Sequence, residues 1–321
     1  MMKIILTLLW ICVCIVSSAQ QNNLVHTTGY KTSDYGAIVS YLKDGTGKSD
    51  LVLIPGLGFD ASVFKDFVAR NKKSFTMYSV TLPGYGNTAA PPMPDSVHAS
   101  YGLQYWTNGA IEGIRKLIAK EHLRKPILVG HFAQGAQIAL RMAIEMPDVI
   151  GGVIAVGAPA KFVAIVNGVV TEYPMQITVP YIDRYTGPQW FKPMSKDAFD
   201  KGNYSPEVYS LNRQTGEALW KMSAGVPLPV YVRYLCEFFA SDITLDADKL
   251  RCPVLVLRTL FSPEVLGKDI NNYIKPQFID AWDRMAKANP GIIIKDILNS
   301  ASFAWKDQPV EFDKAVTAFV H

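Results

Sequence analysis

The segment that most constrains the fold is residues 126–136, which read Pro-Ile-Leu-Val-Gly-His-Phe-Ala-Gln-Gly-Ala. The apolar run 127–130 predicts a buried strand, and the glycines around residues 131–134 predict a tight turn. The residues that follow, 137–146, have the periodicity of a helix. This strand–turn–helix unit predicts one repeat of an alternating α/β arrangement.

The same alternation continues on both sides of that segment. Further strands are predicted at 37–43, 51–54, 75–80, 153–156, 253–257 and 292–297, and further helices at 62–69, 103–122, 278–288 and 310–319. Strands that alternate with helices at this spacing predict a mostly parallel, doubly wound sheet covered on both faces. The predicted fold class is therefore α/β.

The alternation stops at Ala158 and resumes only near residue 253. The segment between, 160–245, is rich in Tyr, Trp and Phe, and we expect it to form a helical cap over the carboxyl ends of the strands, where α/β sheets bind ligands. The core would then comprise residues 20–160 and 245–321. An aromatic cap predicts a mostly apolar pocket for a small hydrophobic molecule. The alternative is that these rings only pack the cap against the core.

The first nineteen residues predict a signal peptide. Lys3 gives the positive start, residues 4–16 form an apolar run, and Ser17 and Ala19 are small residues suited to cleavage. A retained membrane anchor is the alternative, although the run is shorter than the roughly 20 residues that span a bilayer. With cleavage, residues 1–19 are lost and no stable membrane anchor remains. The expected location is then periplasmic or secreted.

Composition excludes some classes of partner. Of the 321 residues, 49% are hydrophobic, and the formal net charge of +4 has no block of like charge, so nucleic acid is not an implied partner. No Cys/His cluster has metal-ligand spacing, and we expect neither a metal nor a cofactor. Cys236 and Cys252 would remain after cleavage, either as a disulfide or as two buried thiols. The oligomeric state is not indicated.

Five motifs in order carry a resemblance to a known family. They lie at 53–58, 80–86, 128–131, 139–141 and 308–312, and include Leu-Pro-Gly-Tyr-Gly and Gln-Pro-Val-Glu-Phe. Over about residues 35–320 the chain resembles the α/β-hydrolase superfamily. That resemblance implies an α/β-hydrolase fold and a Ser–Asp–His triad whose serine lies on the turn after a strand. Fold alone does not establish the reaction.

The three positions of that triad hold other residues here. The resemblance places Phe132 at the nucleophile, Ser262 at the acid and Ser302 at the histidine. Glu264 and Asp269 are acidic residues near enough to replace the acid if the loop bends differently. The sequence therefore predicts a divergent member with a degenerate triad and no confident catalytic residue.

Several other residues are candidates for binding at the same place. The backbone N–H groups of Leu57 and Ala133 would form the oxyanion hole, which does not depend on side-chain identity. Gln134 is expected either to anchor a ligand or to face solvent, and Arg258 is a further pocket candidate. His131 is expected to pack beside the sheet, with a role as displaced base as the alternative.

Three functions are compatible with these residues. The first is a secreted family member that binds a small hydrophobic molecule, bearing an ester or carbonyl group, beneath the cap. The second is an active, esterase-like hydrolase that uses displaced groups, such as His131 or Ser302 with Glu264 or Asp269. The third is a non-catalytic interaction protein whose cap surface is the interface.

Overall fold

A computed structural model describes residues 39–86, 88–91, 100–166, 169–188, 195–202, 204–260 and 274–321. Seven strands form the main sheet: β1 (Ser40–Asp44), β2 (Ser49–Ile54), β3 (Phe75–Thr81), β4 (Ile127–His131), β5 (Gly152–Val156), β8 (Val254–Leu260) and β9 (Ile292–Leu298). Their order is β1-β3-β2-β4-β5-β8-β9, and only β1 pairs antiparallel with its neighbour. The predicted mostly parallel α/β fold is confirmed.

The apolar strand sequences are explained by burial on both faces of the sheet. In β2, Val52 and Ile54 pack into one core cluster, whereas Leu51 and Leu53 pack into the other. Successive side chains of a strand point to opposite faces, so a strand covered on both sides needs apolar residues throughout. All four residues are completely buried.

Helices cover both faces. They are α1 (Lys65–Asn71), α2 (Tyr105–Lys120), α3 (Gln134–Glu145), α8 (Ala281–Ala288), the short α9 (Ala304–Asp307) and α10 (Pro309–Val320). Residues of α2, α3 and α8 belong to one core cluster, and residues of α1 and α10 belong to the other. The predicted helices of the core are present, although α3 begins three residues earlier than the predicted start at residue 137.

The cap lies between β5 and β8. It contains the strands β6 (Ala164–Val166) and β7 (Val169–Thr171) and the helices α4 (Met175–Tyr181), α5 (Lys196–Gly202), α6 (Arg213–Ala224) and α7 (Leu228–Phe239). The sequence predicted an aromatic helical segment here but did not predict the antiparallel β6–β7 hairpin. Among the described residues, no helix is both long and apolar enough to cross a membrane.

Candidate functional site

The turn between β4 and α3 is strained. Phe132 and Ala133 have φ values of 31° and 54°, in the left-handed region that residues with a Cβ rarely adopt. The neighbouring glycines make this possible, because a Cβ on Gly130 would lie 2.5 Å from the Gly135 carbonyl oxygen. A Cβ on Gly135 would meet the Ile54 carbonyl oxygen at the same distance. The backbone thus has the form of a nucleophile elbow, with Phe132 at its apex.

An aromatic wall surrounds the Phe132 side chain. Its ring centroid lies 6.2 Å from that of Tyr209, which belongs to the cap, and 6.2 Å from that of Phe278. Ile274 and Ala301 belong to the same packed cluster. Apolar groups therefore occupy the place from which a hydrolase nucleophile would act, and the cap supplies one of them.

The two backbone N–H groups expected to form the oxyanion hole differ in whether they already have a hydrogen-bond acceptor. The Leu57 N–H donates to the Phe132 carbonyl oxygen at 3.3 Å, so the prediction of two free donors needs correction. The elbow's own strained backbone brings that carbonyl to the donor. Among the described residues we find no hydrogen-bond partner for the Ala133 N–H. The Ala133 N–H is therefore the member of the expected pair that remains available beside Phe132.

His131 packs inside the protein, as expected for a histidine beside the sheet. The ring is fully buried, and its centroid lies 4.3 Å from that of Phe303 and 4.7 Å from that of Trp305. Nε2 donates to the Ser302 carbonyl oxygen at 3.1 Å, which leaves Nδ1 as an acceptor with no partner in the described part of the chain. Burial lowers the pKa of His131 to about 3, so the imidazole is neutral at physiological pH.

Ser302, which the family resemblance places at the position of the histidine, ties the core to the cap. Its Oγ donates to the Val208 carbonyl oxygen at 2.7 Å, and its N–H donates to the same oxygen at 3.1 Å. The residue is fully buried. The hydroxyl proton is thus committed to a structural bond, and the geometry gives Ser302 no free group for acid–base chemistry.

Gln134 is fully buried, so the alternative of a solvent-exposed side chain is wrong. It is the first residue of α3, and its Nε2 donates to Thr107 Oγ1 at 2.6 Å, while its Oε1 has no partner among the residues described. Thr107 in turn donates to a carboxylate of the cap, that of Glu237, at 2.7 Å. Gln134 therefore connects the elbow to a buried polar network.

Glu237 is the centre of this network and was missed in the sequence. One carboxylate oxygen accepts from the Trp106 N–H at 3.0 Å and from Arg233 Nε at 2.8 Å. The other accepts from the Thr107 N–H at 2.8 Å and from its hydroxyl. Because Trp106 and Thr107 lie in the first turn of α2, the carboxylate satisfies free N–H groups at a helix N-terminus, where negative charge is favoured. A cap helix is therefore anchored to the core.

The sequence did contain a signal for this anchor. Arg233 and Glu237 are four residues apart in an otherwise apolar stretch, residues 226–239, and opposite charges at that spacing share a helix face. Both are fully buried, and the Arg233 guanidinium lies 4.6 Å from the ring centroid of Tyr101. A pair of opposite charges within an apolar helix predicts a buried ion pair.

Arg258 is held away from a binding role by two carboxylates. Its Nε and Nη2 donate to Asp296 on the adjacent strand β9, at 2.5 and 3.0 Å, and its Nη1 donates to Asp283 of α8 at 2.7 Å. The expectation that Arg258 lines the pocket therefore needs correction. Its position on β8 faces it toward α8, and the alternation of strand side chains could have indicated this.

Three of the candidates lie outside the described residues, namely Ser262, Glu264 and Asp269, as does the predicted signal peptide. Cys236 and Cys252 are both free and buried, which selects the interpretation of two thiols over a disulfide. Burial raises the pKa of both thiols, so neither is an activated nucleophile.

The chain was compared with known proteins. A family model described as "Alpha/beta hydrolase family" matches residues 51–312. Curated relatives include pimeloyl-[acyl-carrier protein] methyl ester esterases of Vibrio vulnificus, 29% identical over 36% of this chain and 39% of the relative, and of Proteus mirabilis, 31% identical over 37% and 40%. The chain thus spans about two fifths of the length of these relatives.

Solved structures agree over a larger share of the chain. A hydrolase from Pseudomonas aeruginosa has a TM-score of 0.64 at 13% identity and covers 88% of this chain and 93% of its own. The enol-lactonase from Burkholderia xenovorans has a TM-score of 0.61 at 17% identity, with coverages of 88% and 95%. At such identities the likeness shows the fold alone.

Proposed function

Because the chain belongs to the alpha/beta hydrolase family, we propose that it is a secreted member that binds a small hydrophobic molecule beneath its cap without triad chemistry. The molecule carries an ester or another carbonyl group. The positions of the triad are Phe132, Ser262 and Ser302, none of which can fill the role that the family gives it.

One observation carries this proposal, namely the packing of Phe132 at the apex of the elbow. Phenylalanine has no lone pair to attack a carbonyl carbon, and its ring stacks into a wall that includes Tyr209 and Phe278. When the members of a triad act as a unit, loss of one removes most of the rate advantage. The wall that replaces the nucleophile is suited to holding an apolar group.

The remaining polar groups support binding more than turnover. The Ala133 N–H is a donor beside the apolar wall, and a donor of this kind holds a carbonyl oxygen. His131, the displaced base of the alternative hypothesis, has its Nε2 bonded to the Ser302 carbonyl and is enclosed by aromatic rings. A base needs access to the proton that it abstracts. This enclosure favours the binder over the hydrolase with displaced groups.

The choice of ligand class is also supported by the relatives. Those named above as methyl ester esterases act on compounds with an ester bond. A family member that kept the fold and lost the nucleophile would keep affinity for such compounds. Ester-bearing probes with apolar chains are therefore the first to test.

The experiment measures turnover and binding on the same purified protein. We expect no hydrolysis of p-nitrophenyl butyrate above background, no labelling by a fluorophosphonate, and a rise in melting temperature with a hydrophobic ester, because binding to the native state stabilises it. Turnover that disappears in His131→Ala or Ser302→Ala would contradict the proposal. A protein that neither turns over nor is stabilised would favour the interaction protein.

Secretion is tested separately. Mass spectrometry of protein recovered from the periplasm or medium should show a chain that begins near Gln20 or Gln21. A full-length chain that stays with the membrane fraction would support the retained anchor instead.

A further inference from the structure

Gln277 is a buried polar side chain that the fold does not use. It is completely buried, and among the residues that the structure describes neither its Nε2 nor its Oε1 has a hydrogen-bond partner. Buried polar groups in proteins are nearly always paired, so an amide without any bond requires an explanation.

The location of Gln277 places it next to the elbow and the base of the cap. It lies in a π-helical turn, Lys275–Asp280, and such turns are frequent at functional sites. Ile274 and Phe278, three residues before it and one after, pack in the cluster that includes Phe132. The Gln277 carbonyl oxygen accepts from the N–H of Ala160, where the chain leaves the sheet for the cap.

Thr259 supplies a second unmet polar group beside this turn. Among the described residues, Ile274, Phe278 and Ala281 of the same segment are buried and apolar. The hydroxyl of Thr259, on the strand β8 that contacts the turn, is also buried and has no hydrogen-bond partner among those residues. Two unmet polar groups in an apolar setting are typical of a ligand site, in which few polar groups fix the orientation.

We propose that Gln277 is the specificity-determining residue of the site and selects ligands that carry an amide on an apolar chain. A carboxamide both donates and accepts, so its full complement is a group whose N–H and C=O lie on the same side, as in a primary amide. Its Oε1 accepts the ligand N–H, and its Nε2 donates to the ligand carbonyl. An ester satisfies only the second bond. This inference rests on the proposed function, because it concerns the ligand of the same site.

The test compares two probes of equal chain length, octanamide, whose primary amide has an N–H donor, and methyl octanoate, which has none, by isothermal titration calorimetry on the full chain. We expect wild type to bind the amide about 3- to 10-fold more tightly, the size of one net hydrogen bond. Gln277→Met keeps the length of the side chain and removes both polar atoms, so its ratio should approach one. Gln214→Met, the same change on the exposed face of α6, should keep the wild-type ratio.

The outcomes separate the two proposals. If neither probe binds wild type, the proposed function fails and this inference fails with it. If both bind equally to wild type, or if Gln277→Met keeps the preference, only the specificity role is overturned. A Gln277→Met protein that melts several degrees lower than wild type, or does not fold, would show that the carboxamide is used by the fold itself and would also overturn it.

Discussion

The substitution Glu237→Gln gives the sharpest test of how the cap is held. Each carboxylate oxygen of Glu237 accepts two hydrogen bonds, one pair from the Trp106 N–H and Arg233 and the other from Thr107. Glutamine presents an NH₂ group at one of these positions, so two buried donors lose their acceptor whichever way the amide is turned. Arg233 also becomes a buried charge without its partner.

The expected loss follows from these contacts. Breaking a buried ion pair by removing one charge costs about 3–5 kcal/mol, which is a large share of a typical free energy of unfolding of about 5–15 kcal/mol. Arg233→Met should cost less, because the carboxylate keeps its three donors at the N-terminus of α2. Urea unfolding followed by circular dichroism measures both free energies.

A matched control removes a carboxylate in the same way at the surface. Asp197 pairs with Lys201 four residues later in α5, but their side chains are 74% and 76% exposed. Asp197→Asn should leave the unfolding midpoint unchanged, because solvent-exposed pairs contribute little. If Glu237→Gln stays within about 1 kcal/mol of wild type, or if Arg233→Met is the more damaging change, the anchor described above is wrong.

Three further predictions concern the elbow. Phe132→Ser should give no burst or turnover with p-nitrophenyl butyrate, because no free base faces the new hydroxyl; measurable turnover would refute this. The free energy of unfolding of wild type should fall by about 2 kcal/mol from pH 6.5 to pH 5, since the unfolded chain protonates His131 while burial keeps its folded pKa near 3. Urea titrations of His131→Gln should show a smaller loss of unfolding free energy over this pH range. If wild type and His131→Gln lose the same amount, the prediction is wrong. Gly135→Ala should lower the free energy of unfolding by about 1–3 kcal/mol, because its Cβ would lie 2.5 Å from backbone oxygens. Gly202→Ala, with open space around it, is the control and should not lower the melting temperature. Equal melting temperatures for the two variants would contradict the geometry.

The sequence predicted the core well because hydrophobic periodicity and strand burial are local signals. The runs at 51–54 and 127–130 became β2 and β4, with the expected parallel pairing. The elbow was also predictable, since its glycines are required by close backbone contacts.

The missed features depend on contacts between distant residues. Gln134 was expected in the turn, but α3 begins at that residue and buries it against Thr107, 27 positions away. Leu57 was expected to offer a free N–H, but the strained elbow brings the Phe132 carbonyl to it. Arg233 lies only four positions from Glu237, but the other bonds of this carboxylate come from Trp106 and Thr107, about 130 positions away, and no local pattern specifies those partners.

The central claim is that this chain binds a hydrophobic molecule with an ester or another carbonyl group and does not cleave it. Proton NMR of methyl octanoate in the presence of the purified protein tests both parts at once. We expect the ester resonances to broaden, as in exchange with a bound state, and the methyl ester to stay intact with no methanol signal over a day. Methanol release by wild type that is absent in His131→Gln would contradict the claim.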